Sequence, residues 1–326
     1  MRLLIGVAIC AIAFSRAFAA PPLVLEATIA LPDTSGRIDH LAIDLTRQRL
    51  FVAEPANDSV DVVDLTGGRV IHRVAGLKQP QGVLYVPKSD LLAVANGGDG
   101  SLRLFSAGDF GARGVIVVGR DADNLRIDPR NGNVIVGHGN GGLAIVDAAR
   151  VVMLRDIELP EHPEGFQLAS DGKAYVNVPN AHQIAVADMA SGRLIGKWTM
   201  PGLSANFPMA FGDGDTVAVV FRAPERMVRF DRSNGRVMSE TRTGGDADDI
   251  FFDAARHRYY ASCGSGTIEV FQVAAGTVTA LASIPTAPGA RTSLFVAELD
   301  RLFLAVRAGP AGSSAAIQIF RPMEDR

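Results

Sequence analysis

One short strand with an apolar and a polar face is written again and again along this chain. It reads "SVDVVDL" at residues 59 to 65 and returns as "SLRLFS", "GLAIVDA", "QIAVADM", "TIEVFQV" and "AIQIFRP". Aligned, one column holds Val60, Leu102, Leu143, Ile184, Met227, Ile268 and Ile317, at steps of 42, 41, 41, 43, 41 and 49 residues. Two residues on come Val62, Leu104, Ile145, Val186, Arg229, Val270 and Ile319, so one face is apolar in every copy but the fifth, where Arg229 stands.

Each copy has company. Upstream lies a second strand ("RLFVAE", "LLAVAN", "NVIVGH", "KAYVNV", "TVAVVF", "RYYASC", "RLFLAV"), and before several of these a third, as in "HLAID", "NLRID" and "DIFFD". A fourth, such as "RVIHRVAG", "VVMLRDIELP" or "RLIGKWTMPG", follows every copy except the last. Four short strands joined by Gly, Asn and Asp turns over roughly 40 residues are the period of a propeller blade. The expected fold is therefore all-β, a seven-bladed β-propeller of four-stranded antiparallel blades. The last unit lacks its outer strand, whereas "LVLEATIAL" precedes the first unit with no role of its own. The two ends are expected to share a blade, which pairs an otherwise open edge.

"LFVAEPANDSVDVVDL" and, more closely, "AYVNVPNAHQIAVADMASGRLIGKW" resemble the forty-residue YVTN β-propeller repeat, with Tyr175-Val176-Asn177 the nearest match. The resemblance extends over all seven units, with the fifth and seventh divergent. It implies an exported bacterial propeller that serves as a binding scaffold, and fold alone does not settle activity.

Residues 1–19 read as a cleaved signal peptide: Arg2, then the apolar "LLIGVAICAIAF", then Ala17-Phe18-Ala19 as the cleavage site. That apolar run is too short to span a bilayer, and no second run of spanning length follows. The expectation is a periplasmic or secreted protein, its residues 20–326 forming a single propeller domain, monomeric and without a transmembrane segment. Without the signal, 30 basic residues face 35 acidic ones, a balance that opposes nucleic acid as a partner. Cys263 is then the lone cysteine, expected to be buried and inert.

In a propeller, the loop leading into the innermost strand of each blade borders the central channel. The corresponding positions here hold Asp39, Gln81, Asp123, Glu164, Asn206 or Phe207, Asp248 and Arg291, with Asp121, Asp246 and Asp249 close by. Carboxylates converging on one axis raise one another's pKa unless positive charge sits among them. Two sources are open. Asp39, Asp123, Glu164 and Asp248 are candidate ligands for Ca2+ or Mg2+ in the channel, or Arg37, Arg120, Arg126 and Arg291 fork onto the same acids.

The expected function is a non-enzymatic exported scaffold that binds a protein partner, or a small ligand or cation, at this loop face and central channel. Candidate ligand-binding residues are Arg37, Asp39, Gln81, Asp123, Asn124, His138, His162 and Asp248. The alternative is a metal-dependent lactonase- or lyase-like enzyme with His40 as base, Glu164 as acid or ligand and Arg291 as oxyanion stabiliser. Tempting patterns fail on context. "GHGNGG" links two strands with no helix to follow, and "CGSGT" lacks the strand-to-helix turn of a nucleophile elbow.

Overall fold

The computed structural model describes residues 20–309 and 314–324; the signal peptide expected at 1–19 lies outside them. Among the described residues are seven four-stranded antiparallel sheets, arranged as the blades of a propeller. The innermost strands of blades one to seven are Leu41–Asp44, Pro80–Val86, Ala122–Ile127, Phe166–Leu168, Ser204–Phe211, Ala247–Asp253 and Ser293–Val296. In blades one to six the four strands run outward in sequence order.

Blade seven is composite. Leu23–Leu31 pairs antiparallel with Ala315–Pro322, Ile29 facing Ile317 and Leu31 facing Ala315, and so supplies the missing outer strand. The ring closes through this pairing.

The repeat column reports the packing. Val60, Leu102, Leu143, Ile184, Met227, Ile268 and Ile317 are all buried. The core is not one mass at the centre but seven apolar clusters, each straddling a pair of adjacent blades. Trp198 belongs to one of them, stacked on Phe230 with ring centroids 5.7 Å apart. Cys263 belongs to another, and burial pushes its thiol up to about 11, which keeps it protonated and unreactive.

Arg229, the exception in the second column, is buried too. Its guanidinium reaches Asp213 at 2.6 Å and the Gly276 carbonyl of the next blade at 2.9 Å, so its stem fills the aliphatic position while its two terminal nitrogens find partners and Nε stays buried without one. The polar turns after the second strands of blades one and four have a common form. Pro55–Asn57 and Pro179–Ala181 each make one 3-10 turn, ended by a residue of positive φ, Asp58 or His182.

Closure generates a test. Leu31 is fully buried between blades seven and one, whereas Leu25 on the same strand is 49% exposed. Leu31→Ala is expected to lose about 2–5 kcal/mol in urea unfolding, and Leu25→Ala to stay within about 0.5 kcal/mol of the native chain. Equal effects would show that the N-terminal strand does not close the ring.

Candidate functional site

The way each innermost strand begins decides what faces the axis. In blades two, three, five and six the register with the second strand slips at Gln81, at Asp123 and Asn124, at Phe207 and Pro208, and at Asp248. Such bulges turn a side chain out of the pleat. Blades one and four do the same just before their strands. Asp39 donates its N–H to the Ala53 carbonyl while Ala53 donates to His40, and Glu164 and Gly165 face Asn177 in the same manner. Neighbouring strands crowd together here. A Cβ on Gly82 would lie 2.0 Å from the Asp123 carbonyl oxygen, and one on Gly165 2.6 Å from that of Phe207, so glycine is required at both.

The outcome is a polar cavity of about 250 Å³ at one end of the channel. All seven corresponding positions line it: Asp39, Gln81, Asp123, Glu164, Phe207, Asp248 and Arg291. The blade-five position is thus Phe207; Asn206 is buried and donates to the Asn177 side chain at 3.0 Å. Arg37, His40, Asn124 and His162 line the cavity as well. A second compartment of about 370 Å³, walled by aliphatic residues and Tyr85, continues the channel, and Arg126, His40 and Asp249 border both.

His138 does not join them. It shares a strand face with Val134 and Val136, which pack towards blade two, and its Nε2 meets Asp156 at 3.0 Å. Arg120 sits in a shallow side depression with Glu161 and Asn180 rather than in the channel. Arg222, at the end of the second strand of blade five, Gln167 and Asp249 complete the wall. Nothing in the repeat pattern singled out Gln167; Arg222, which follows "TVAVVF", is expected from the sequence among the arginines of this face and does line the cavity.

Six carboxylates line the cavity against four guanidiniums, and the guanidiniums are unevenly spent. Arg222 and Arg291 clasp Asp248 and Asp246 together, Arg291 at 2.6 Å from Asp246 and 3.0 Å from Asp248. Phe207 holds Arg222 in place, its ring centroid 3.8 Å from the guanidinium carbon. Arg37 pairs with Asp39 at 2.5 Å. Arg126 has no carboxylate within ion-pair distance among the described contacts; it donates to its neighbour Leu125's carbonyl, and burial pulls its pKa down.

The remaining acids show the deficit. Burial, reinforced by Asp123 and Asp248, pushes Glu164 up to about 8. Burial likewise lifts Asp249 to about 7, despite the Ser293 N–H it accepts at 2.7 Å, and Asp39 to about 6. Burial works against a charge on His40, but Asp123, Asp39 and Asp249 around it raise it to about 10. That imidazolium, 3.5 Å away, holds Asp123 below the usual carboxylate range against the pull of its own burial.

These charges bear on the sequence expectations. A four-carboxylate ring for a hard cation is not assembled, because arginines already neutralise Asp39 and Asp248. His40 is charged at neutral pH and so is no base there, and Arg291 is held by Asp246 and Asp248.

No family model matches the chain, and no curated protein matches it in sequence. Solved structures do match. A chain of the mitotic checkpoint complex superposes with a TM-score of 0.78 at 12% identity, over 100% of this chain and 99% of that one. A chain of Kuenenia stuttgartiensis hydrazine synthase gives 0.77 at 16% identity, over 90% and 97%. At such identities the likeness shows the fold alone.

Asp249 supplies a pH test. Its pKa is raised on folding, so below about pH 4 it adds nothing. Between about 4 and 7 the unfolded chain releases its proton while the folded chain keeps it, and stability falls as pH rises. Asp249→Asn, which still offers Ser293 an acceptor, is expected to gain on the native chain progressively from pH 4.5 to 7.5 in urea unfolding. A gain independent of pH would refute the assignment. His40, Asp248 and Arg126 face the same group and are common to both proteins.

Proposed function

We propose that this is an exported, non-enzymatic propeller that binds a small polar ligand in its channel mouth. The observation that supports the reading is the convergence of one residue from every blade on a single polar cavity whose acids outnumber its arginines. Buried carboxylates held at about 6, 7 and 8 cost stability at neutral pH. A fold selected for stability alone would place apolar residues there, and electrostatic strain of this kind collects at functional sites. The cavity is smaller than those that take drug-sized molecules, which fits a compact ligand. Export rests on the signal-like residues 1–19 and on the resemblance to YVTN-type repeats. Among the described residues, no helix is long and apolar enough to cross a membrane.

A lactonase- or lyase-like activity has one observation in its favour. Glu164, held protonated near neutral pH, is in the form a general acid needs, with His162 Nε2 3.9 Å away. Turnover of a γ-lactone panel that disappears in Glu164→Gln would establish that reading over the first.

The binding reading is tested by thermal melts in EDTA against small carboxylates, amines and polyols. At least one class is expected to raise Tm by about 4–8 °C at a hundredfold excess over Kd. The shift should be lost in Arg126→Gln when the ligand is an anion, and in Asp248→Asn when it is a cation. A melt unmoved by every class would overturn the small-ligand reading and leave the loop face to a protein partner.

A further inference from the structure

The channel contains a donor set that no single stretch of sequence displays. Asp123 comes from the bulge of blade three, and His162 and Glu164 from the loop leading into blade four. One ligand atom from each lies within 4.8 Å of the other two. Nothing in the protein ties the three together as an ordinary hydrogen-bonded cluster. His162 Nε2 stands 3.9 Å from Glu164 Oε1, beyond hydrogen-bond reach, and Asp123 Oδ1 is buried without a hydrogen bond, its one partner being the His40 imidazole in a long ion pair of 3.5 Å. Asp123 as a whole is only 8% exposed. A buried acceptor without a hydrogen bond, met only by that long contact and standing beside a second imidazole and a second carboxylate, is an arrangement that a bound cation would complete.

We propose that Asp123, His162 and Glu164 form a site for a borderline divalent cation of the zinc class. This deepens the channel-binding reading and rests on it. The donor chemistry selects the metal. Calcium and magnesium ask for oxygen throughout, whereas one imidazole with two carboxylates suits zinc and its first-row neighbours. Donors at about 2.0–2.2 Å from one ion sit roughly 3.4 Å apart, so a modest rotation of the two carboxylates closes the set.

A carboxylate stands behind the His162 ring, just outside hydrogen-bond distance. With Nε2 turned to Glu164, the other ring nitrogen, Nδ1, looks towards Asp121 Oδ2 at 3.8 Å, and Gln81 in turn donates to Asp121 at 2.7 Å. A carboxylate behind the ring orients a liganding imidazole and raises its basicity. Three protein donors are one fewer than a closed tetrahedral site contains, so the remaining position falls to water or to a ligand in the cavity.

The experiment is isothermal titration of EDTA-stripped full chain with zinc chloride. One zinc per chain is expected, with calcium and magnesium at least a hundredfold weaker. Asp123→Asn, His162→Gln and Glu164→Gln should each weaken zinc by at least tenfold, and Cys263→Ser should leave it unchanged. Zinc uptake that all three variants retain would assign the ion to surface histidines and overturn the proposal, as would the absence of uptake or a preference for calcium. Should a variant fail to fold, the visible spectrum of the cobalt-loaded native chain decides. Nitrogen and oxygen ligation without a thiolate charge-transfer band supports the site, and a thiolate band refutes it. Zinc failure with a surviving small-molecule shift in EDTA removes the metal and keeps the ligand site. The reverse outcome removes the small-molecule ligand and keeps the metal.

Discussion

The pairing of Leu23–Leu31 with Ala315–Pro322 governs the rest, because this fold has no core inside any one blade. Every apolar cluster lies between two blades, so each sheet is stable only while both neighbours are present. The N-terminal strand serves two of these interfaces at once. Leu31 packs into the cluster shared with blade one and Leu23 into the one shared with blade six. Leaving that strand unpaired would open two interfaces and an edge together, and the channel geometry would go with them.

Closure also explains the electrostatics of the channel. A ring of seven similar sectors brings seven equivalent positions to one axis whatever their charge, and in blades two, three, five and six a bulge at the start of the innermost strand turns them inward. The protein meets the resulting repulsion with arginines on one side only. Arg222 and Arg291 hold Asp246 and Asp248, and Arg37 holds Asp39. On the blade-three and blade-four side the His40 imidazolium faces Asp123 at 3.5 Å, while no arginine reaches Glu164 within ion-pair distance among the described contacts, so that a proton or another cation serves Glu164. The asymmetry, rather than the number of acids, marks where a ligand belongs.

Much of this was legible before any coordinates. The period-two pattern at steps near 41 residues gave the blades, their number and the shared last blade, because burial between blades writes the same apolar column in every copy. The loops gave the channel-facing positions for the same reason. What the pattern could not carry was direction within a strand and contact between sectors. His138 ends a strand beside the channel, yet strand alternation turns it towards Val134, Val136 and the blade-two interface. His162 and Asp123 are separated in sequence by the better part of a blade, and only ring geometry brings them together. Arg229 looked like a break in the repeat because its stem and its head obey different rules, one packing as an aliphatic and the other pairing with Asp213.

Scaffold and site are therefore separable in this molecule. Propellers at 12% and 16% identity reproduce the ring with TM-scores of 0.78 and 0.77, so the path of the backbone survives replacement of most side chains. The constraint on the blades is apolar burial, which many sequences satisfy equally well. The constraint on the channel is different in kind. Once the ring is closed, seven side chains face one another whether or not a ligand is present, and their summed charge has to be tolerable in a poorly solvated space. Here Glu164 stands without an arginine on one side of the mouth, and Arg126, 5.6 Å from the Phe166 ring centroid and donating to the Leu125 carbonyl, borders the apolar compartment behind it. The mouth therefore has an arginine-clasped side and a side without arginine. That polarity is set by side chains the fold does not dictate.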